Sequence, residues 1–305
     1  MSSDKTEVVE YLGKRFIAGD FPDGIVTNDD IVDAIETMKS SLSKRNPANF
    51  LKDIIRKSSA NENWPESLKQ QRITARQRYG KKRVMQFYRY PADQTVPFPD
   101  PFGSNSETHD YLVQTASLPY ISRQLGRSEE TWLTQIAVNL RLVETQLSLF
   151  SADARAGRLR DVSHLQTGIK TQPEIDAGYV ASFSVGERPG AGVEYCYVTC
   201  EVKQRNERIL PDQIREQVAK AFEITKSLKE PIISLVKPIA MHAVATGMGK
   251  ASEVGIYLVE FQSISRGDFE AQVVGNPNEE ALYGLELIRS STTLYRCRPP
   301  INALK

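Results

Sequence analysis

The sequence is poor in the residue types that build disulfide scaffolds and histidine-based metal sites. Its 305 residues include three cysteines and three histidines, namely Cys196, Cys200, Cys297, His109, His164 and His242. A sparse, odd number of cysteines argues against a disulfide framework and suits a reducing cytosol. The histidines are far apart and match no metal-ligand spacing. We therefore expect Cys196 and Cys200 to be small buried residues that face the core from one strand.

Long apolar segments are also missing. No run approaches the roughly 18 apolar residues that a membrane helix requires, and the first residues, Met-Ser-Ser-Asp-Lys, are polar, unlike a signal peptide. A Gly-x-Ser-x-Gly element, which would suggest a serine hydrolase, does not occur. These absences predict a soluble, cytoplasmic protein that does not enter a membrane.

The formal net charge is only +1, but the charge is strongly segregated along the chain. Residues 41–90 contain thirteen Lys and Arg against three Asp and Glu, so everything outside this window is net acidic. Such an asymmetry indicates a polyanionic partner such as a nucleic acid, because Lys and Arg side chains neutralise phosphates. A solvated basic face without a ligand is the alternative. The side chains predicted here to bind DNA are Arg72, Arg76, Arg78, Lys81, Lys82 and Arg83.

The basic window belongs to a predicted N-terminal domain over residues 1–92. Residues 27–30 resemble a capping box that starts one helix, and apolar residues recur at helical spacing in 50–55. A third helix is predicted from Trp64-Pro65 to just before Gly80, with Arg72 and Arg76 one turn apart on its exposed face. Residues 84–90 follow as a short strand. This order predicts a mostly helical, winged-helix-like domain that contacts DNA.

A proline-rich linker is predicted at residues 93–105, and a second domain at 106–305. Pro97, Pro99 and Pro101 interrupt regular structure in the linker. Beyond it the pattern predicts one long helix over 128–147, a polar loop over 151–171 and a helix from Pro211. Strands are predicted at 175–184, 194–203, 232–239 and 254–261. The fold class is therefore α/β (α+β), with a mixed β-sheet flanked by helices.

Acidic and basic residues converge on two of these strands. Glu201 and Lys203 are two residues apart at the end of an apolar strand and project from one face. Another strand opens with Pro173-Glu-Ile-Asp176. Two carboxylates and an ammonium group on adjacent strands suit a divalent metal and a phosphodiester. The alternative is a solvated strand face with an ion pair between Glu201 and Lys203.

The segment Pro173-Glu-Ile-Asp176 followed by Glu201-Val-Lys203 resembles the PD-(D/E)xK nuclease superfamily, and within it the type II restriction endonucleases. The resemblance covers roughly residues 128–228. It implies a restriction-endonuclease-like core in which Asp176 and Glu201 bind Mg²⁺ and Lys203 acts on the attacking water. It also implies sequence-specific hydrolysis of double-stranded DNA, in most cases by a homodimer.

Further side chains are predicted to support this site. In the resembled family an acid from the preceding helix often approaches the metal, which makes Glu144 a possible ligand, and Glu216 has the spacing of a second one. Both could instead be ordinary helix acids. Three residues that follow the motif strand could reach phosphates or base edges, namely Gln204, Arg205 and Arg208.

Two other functions compete with a restriction enzyme. One is a nuclease of the same superfamily that acts in repair or on RNA. The other is a DNA-binding regulator without catalysis, whose 41–90 region binds DNA while its C-terminal half senses a ligand or dimerises.

Overall fold

The chain divides into two compact units. The computed structural model describes residues 3–45, 47–78, 80, 82–127, 129–186, 192–205, 207–230, 232–246, 253–276, 278 and 280–304. The first unit comprises residues 1–101 together with the short segment 206–208, and the second comprises 102–205 and 209–305. The boundary at residue 101 lies within the stretch 93–105 that the prolines mark. The predicted DNA contact Lys81 lies outside the described residues.

The first unit contains several helices and a small antiparallel sheet. Its helices are α1 (Asp4–Ala18), α2 (Asn28–Thr37), α3 (Lys52–Ile55), α4 (Ala60–Asn63) and α5 (Glu66–Gln70). Its strands are β1 (Ile25–Thr27), β2 (Ile73–Gln77) and β3 (Arg83–Arg89), in the spatial order β1-β3-β2. Thr27 and Asp30 form the predicted capping box of α2, and Ile31 and Ile35 are buried.

The predicted helix from Trp64 to Gly80 is wrong. The helix α5 ends at Gln70, and Arg72 takes a left-handed conformation with φ of 55° that turns the chain into β2. Residues 73–77 pair with β3 in an antiparallel register, and the buried Trp64 indole donates to the Ile73 carbonyl oxygen at 2.9 Å. Strand pairing and burial therefore override the helical pattern, so Arg72 and Arg76 do not share a helix face.

The second unit is built on an eight-stranded mixed sheet. Its strands are β4 (His109–Gln114), β5 (Leu159–Ile169), β6 (Ile175–Ser184), β7 (Val193–Lys203), β8 (Ile233–Thr246), β9 (Glu253–Phe261), β10 (Ile264–Ser265) and β11 (Arg289–Arg298). The main order is β4-β11-β9-β8-β7-β6-β5, with β10 paired to β8. The pairs β7–β8 and β11–β4 are parallel, and the others are antiparallel. The four predicted strands are confirmed to within a few residues, apart from the C-terminal extension of β8.

Helices cover both faces of this sheet. They are α6 (Tyr120–Leu125), α7 (Glu130–Asn139), α8 (Leu142–Thr145), α9 (Pro211–Thr225) and α10 (Arg266–Phe269). One core packs apolar residues of α7 and α8 against Cys196, Val198 and Cys200 of β7. On the opposite face, Val218 and Phe222 of α9 pack against Tyr197. The mixed sheet flanked by helices is therefore confirmed, as is the burial of Cys196 and Cys200.

Two other predictions for this unit are wrong. The helix predicted over 128–147 is broken, because Arg141 has a φ of 53° between α7 and α8, and residues 146–150 continue as a π-helix. Ser128, its predicted start, lies outside the described residues. The polar stretch predicted as a loop contains the strand β5 instead. This strand forms an edge of the sheet, and all of its residues except Val162 are exposed or half-buried, so it has no continuous apolar pattern.

None of the helices in the described residues combines the length and the apolar character needed to cross a membrane.

Gly178 of β6 leaves room for the ring of Tyr197 on β7. A Cβ atom at residue 178 would lie 2.5 Å from the Tyr197 hydroxyl oxygen and 2.7 Å from Cδ1 of Ile169. Because Gly178 and Tyr197 are both buried, the Tyr197 ring cannot move freely into solvent.

We therefore expect Gly178→Val to lower the free energy of unfolding by about 1–3 kcal/mol through overpacking, measured by urea denaturation. Adding Tyr197→Phe removes the nearest atom, so the double variant should regain part of the loss. Unchanged stability of Gly178→Val would contradict this packing.

Candidate active site

The structure brings Asp176, Glu201 and Lys203 close together where β6 begins and β7 ends. In the antiparallel pair β6–β7, Ala177 lies opposite Cys200. Asp176 lies one residue before this pair, close enough to Glu201 and Lys203 for both charges to act on its carboxyl group. The Asp176 Oδ2 atom accepts a hydrogen bond from the Val202 backbone nitrogen at 2.8 Å. This bond ties the start of β6 to the end of β7.

Lys203 is almost fully buried, with 1% of its surface exposed. Its Nζ atom forms a close ion pair with Oε1 of Glu201, which is itself 2% exposed. The same ammonium group lies 3.0 Å from Oε1 of Glu130 and donates to the Val202 carbonyl oxygen at 3.1 Å. A buried charge requires such partners because it has lost its hydration.

Sequence reasoning missed Glu130 and Gln217. Glu130 is in the first turn of α7, where an acid also interacts favourably with the helix dipole. Gln217 is on the buried side of α9 and donates to Oε2 of Glu201 and to the Glu174 carbonyl oxygen. The acids at the start of the predicted helix were a usable signal for Glu130. Nothing in the local pattern singled out Gln217, because its role depends on how α9 packs on the sheet.

Asp176, Glu201 and Lys203, which we call the trio, have more acidic than basic groups. Burial and the neighbouring Glu201 carboxylate raise the pKa of Asp176 to about 8, although Lys203 acts in the opposite direction. Glu130 adds to the rise. Two carboxylates and Glu130 therefore share one ammonium group, and ionising Asp176 is costly near neutral pH. A cation bound between Asp176 and Glu201 would relieve this repulsion.

The carboxylate oxygens of Asp176 and Glu201 could supply some, but not all, of the ligands of a magnesium ion. Asp176 and Glu201 supply oxygen atoms, which Mg²⁺ prefers, and this ion is commonly held by one or two carboxylates together with water and substrate oxygens. Within the described part of the chain, no group of three or more His, Cys, Asp or Glu side chains converges as a metal site. Any Mg²⁺ here would depend on water and substrate for its remaining ligands.

The two further acids predicted as possible metal ligands have other neighbours. Glu144 of α8 lies 3.5 Å from Nε of Arg141 and lines a separate pocket of about 260 Å³ with Arg160 and Asp161. Glu216 of α9 is buried, and its Oε1 atom accepts a hydrogen bond from the Tyr283 hydroxyl at 3.0 Å. The helix acid at the trio is therefore Glu130 and not Glu144.

Several residues predicted to bind DNA are engaged within the first unit. The guanidinium group of Arg76 stacks 4.0 Å above the ring of Tyr88. Arg78 is buried, and its Nη1 atom lies 3.4 Å from Oε1 of Gln86. Lys82 forms an exposed ion pair with Asp29 at 3.2 Å. Burial makes Arg78 a structural residue, which corrects the prediction for that side chain.

The remaining predicted contacts differ in exposure. Arg72 is exposed in the turn after α5, and Arg83 begins β3 and is half-buried. Gln204 is half-buried and Arg205 is exposed directly after β7. Arg208 is buried, and its Nη2 atom donates to the carbonyl oxygens of Phe98 and Pro99. Because it is bound to the backbone, Arg208 is a structural residue and not the DNA contact that the sequence suggested.

A second buried cluster uses the same residue types. Lys237 of β8 forms ion pairs with Glu260 of β9 at 2.8 Å and with Asp153 at 2.9 Å. Glu260 also accepts hydrogen bonds from Ser151 and Ser291, and Asp153 accepts one from Ser263.

Both acids of this cluster are well satisfied. Burial acts to raise the pKa of Asp153, but Lys237 and several hydrogen bonds outweigh it and hold that pKa well below the usual range. Gln146 donates to the second oxygen of Glu260, so both oxygens of that carboxylate have protein partners. Glu201 also has a protein partner on each oxygen, so the two clusters differ in their second acid: the pKa of Asp153 is lowered, whereas the pKa of Asp176 is raised.

The raised pKa of Asp176 predicts a pH-dependent stability. The folded state retains this proton up to about pH 8, whereas an unfolded aspartate loses it near pH 3.9. The contribution of Asp176 to the free energy of unfolding is therefore fully present below pH 3.9 and is lost as the pH rises toward 8. Asp176→Asn cannot titrate, so its free energy of unfolding minus that of the parent should increase from pH 5 to pH 8 in metal-free urea denaturation. A constant difference would contradict the raised pKa.

Comparison with known proteins adds no family to this geometry. No family model matches the chain, and no curated protein or solved structure is significantly similar to it. Its function must therefore be argued from the residues of the site.

Proposed function

We propose that this protein is a Mg²⁺-dependent endonuclease that hydrolyses phosphodiester bonds of double-stranded DNA. The observation that carries the proposal is the juxtaposition of Asp176, Glu201 and Lys203 on two paired strands, with Lys203 buried against Glu201. Lys203 and Glu201 are buried, and the acids Asp176 and Glu130 lie beside them, so holding these charges away from water is costly. Binding of a metal ion and a phosphate group would explain why such a costly arrangement is present.

The finer proposal is a type II restriction endonuclease of the PD-(D/E)xK superfamily, with a restriction-endonuclease-like core. Its support is the motif itself, carried by β6 and β7 of a mixed sheet with α7 on one face and α9 on the other. The helices of the first unit and the sheet order β1-β3-β2 are compatible with a winged-helix-like DNA-contacting domain. Recognition of a specific sequence and a homodimeric state belong to the proposal through the resemblance alone.

Each residue of the site has a proposed task. Asp176 and Glu201 would hold the Mg²⁺, which when bound polarises a phosphoryl oxygen and acidifies water. The Lys203 ammonium group would orient the attacking water and stabilise the negative charge that develops on the phosphate. Gln217 is a positioning residue, because its hydrogen bond fixes the Glu201 carboxylate. Glu130 holds the Lys203 ammonium group in place.

Loss of the trio should abolish cleavage without abolishing binding. We expect Asp176→Asn and Lys203→Met each to lower the rate of Mg²⁺-dependent cleavage of unmodified phage DNA by about a thousandfold. Duplex binding without metal should remain close to that of the parent. Glu216→Gln is the matched control, because this buried acid faces Tyr283, and it should cleave normally. Full cleavage by Asp176→Asn would end the proposal.

Substitutions of the two helix acids, Glu130 and Glu144, should have different effects on the cleavage rate in the same assay. Because Glu130 contacts Lys203, Glu130→Gln should lower the cleavage rate by about 10–100-fold, as expected when the partner of a site residue is removed. Glu144→Gln, whose carboxylate pairs with Arg141, should stay near the parental rate. The reverse ranking would show that the acid on α8 serves the site.

A further inference from the structure

A basic cleft of about 630 Å³ is formed within the first unit. Its lining includes Lys52, Arg56, Lys57, Ser58, Ser59 and Glu207. Three cationic side chains thus face one carboxylate, and the two serines add hydroxyl groups. The cleft combines positive charge with hydrogen-bond donors in a concave surface.

Local packing explains why these charges collect there. Leu51, Ile54 and Ile55 are buried in the core of the unit, so the polar residues of the same turns, Lys52 and Arg56, project outward. On the helix these two positions are four residues apart and therefore share a side.

The opposite wall is anchored to the backbone of the same segment. Glu207 and Lys57 form an antiparallel bridge, and the Arg208 nitrogen donates to the Arg56 carbonyl oxygen at 2.6 Å. The buried Arg208 guanidinium group then binds the carbonyl oxygens of Phe98 and Pro99. These contacts fix the backbone of the cleft, so a ligand would not have to order it.

The chemistry of the lining selects for phosphate groups. Lys, Arg and Ser are typical donors to phosphate oxygens in nucleic-acid complexes. Among the described residues, the lining contains no aromatic or aliphatic side chain on which a base could stack. Its volume exceeds what a single phosphate group fills. A chain of phosphates therefore suits it better than a nucleotide base or an apolar ligand.

Two of the basic residues predicted from the sequence to bind DNA are less available than those of the cleft. Arg78 is buried, and Arg76 is stacked on Tyr88. By contrast, Lys57 is exposed and Lys52 is half-buried at the cleft. Part of the positive charge of the 41–90 window therefore lies at the cleft, whereas the predicted contacts Arg72 and Lys82 are exposed outside its lining.

We infer that this cleft binds backbone phosphates of duplex DNA and contributes affinity that does not depend on base sequence. The choice of DNA as the polyanion rests on the proposed function. The cleft supplies charge and hydroxyl donors, so it positions a duplex and leaves the reading of bases to other residues.

Charge removal at the cleft tests this inference in the full chain. Binding of two fluorescent duplexes of unrelated sequence would be measured by anisotropy in EDTA over a range of salt concentrations. Lys52→Gln with Lys57→Gln should weaken binding of both duplexes about tenfold and reduce the slope of log K against log salt by about 2. The control removes two charges of the same unit that do not line the cleft, Lys14→Gln with Lys39→Gln, and should leave the slope nearly unchanged.

A second variant distinguishes the effect of charge from an effect of misfolding. Ser58 is exposed, so Ser58→Asp should fold normally and weaken duplex binding through repulsion alone. Equal weakening by the cleft and control variants would overturn the inference, as would a parent protein that binds no duplex at low salt. Displacement of DNA by inorganic phosphate, but not by chloride of equal ionic strength, would assign the cleft to free phosphate instead.

The binding assay contains no divalent metal and requires no cleavage. If Mg²⁺-dependent cleavage fails while the cleft variants still weaken duplex binding, the proposed function falls and the cleft remains a DNA site. If cleavage depends on Asp176 but the cleft variants bind duplex DNA normally, the proposed function stands and the cleft is not a DNA site.

Discussion

The buried ion pair between Lys203 and Glu201 is the constraint on which the second unit depends at its candidate site. Both side chains are almost inaccessible to water, so each must find its partners within the protein. Glu130 of α7 and Gln217 of α9 provide them from helices packed on opposite faces of the sheet. The pair therefore ties both helices to the end of β7.

The two lysine-centred clusters of this unit differ in the pKa of one of their acids. Around Lys237, serine hydroxyls and a glutamine amide occupy the carboxylate oxygens of Glu260. Through Ser151 and Asp153, that network connects the segment that begins at Ser151 to β8 and β9. The pKa of Asp176, by contrast, is raised to about 8 by burial and by the neighbouring Glu201 carboxylate. A titratable group held in an unfavourable state beside a cation is typical of sites that act on a ligand.

The basic region of the first unit illustrates the difference between charge in a sequence and charge on a surface. Counting Lys and Arg over 41–90 locates the positive charge along the chain, but folding distributes it unequally. Arg78 is buried, and Arg208, from a distant part of the chain, joins the same unit as a structural residue. Lys52, Arg56 and Lys57 remain around a cleft, because the apolar residues between them are drawn into the core.

The sequence by itself determined the strands that carry the motif, the face shared by Glu201 and Lys203, and the burial of Cys196 and Cys200. These follow from the alternation of side chains along a strand, which is a local property. Only the tertiary structure decided that Glu130, and not Glu144, meets Lys203, and that Gln217 fixes Glu201. It also decided that residues 73–77 and 159–169 are strands, one paired beneath Trp64 and the other at an exposed edge. Such outcomes depend on contacts between residues far apart in the chain, and local patterns do not encode those contacts.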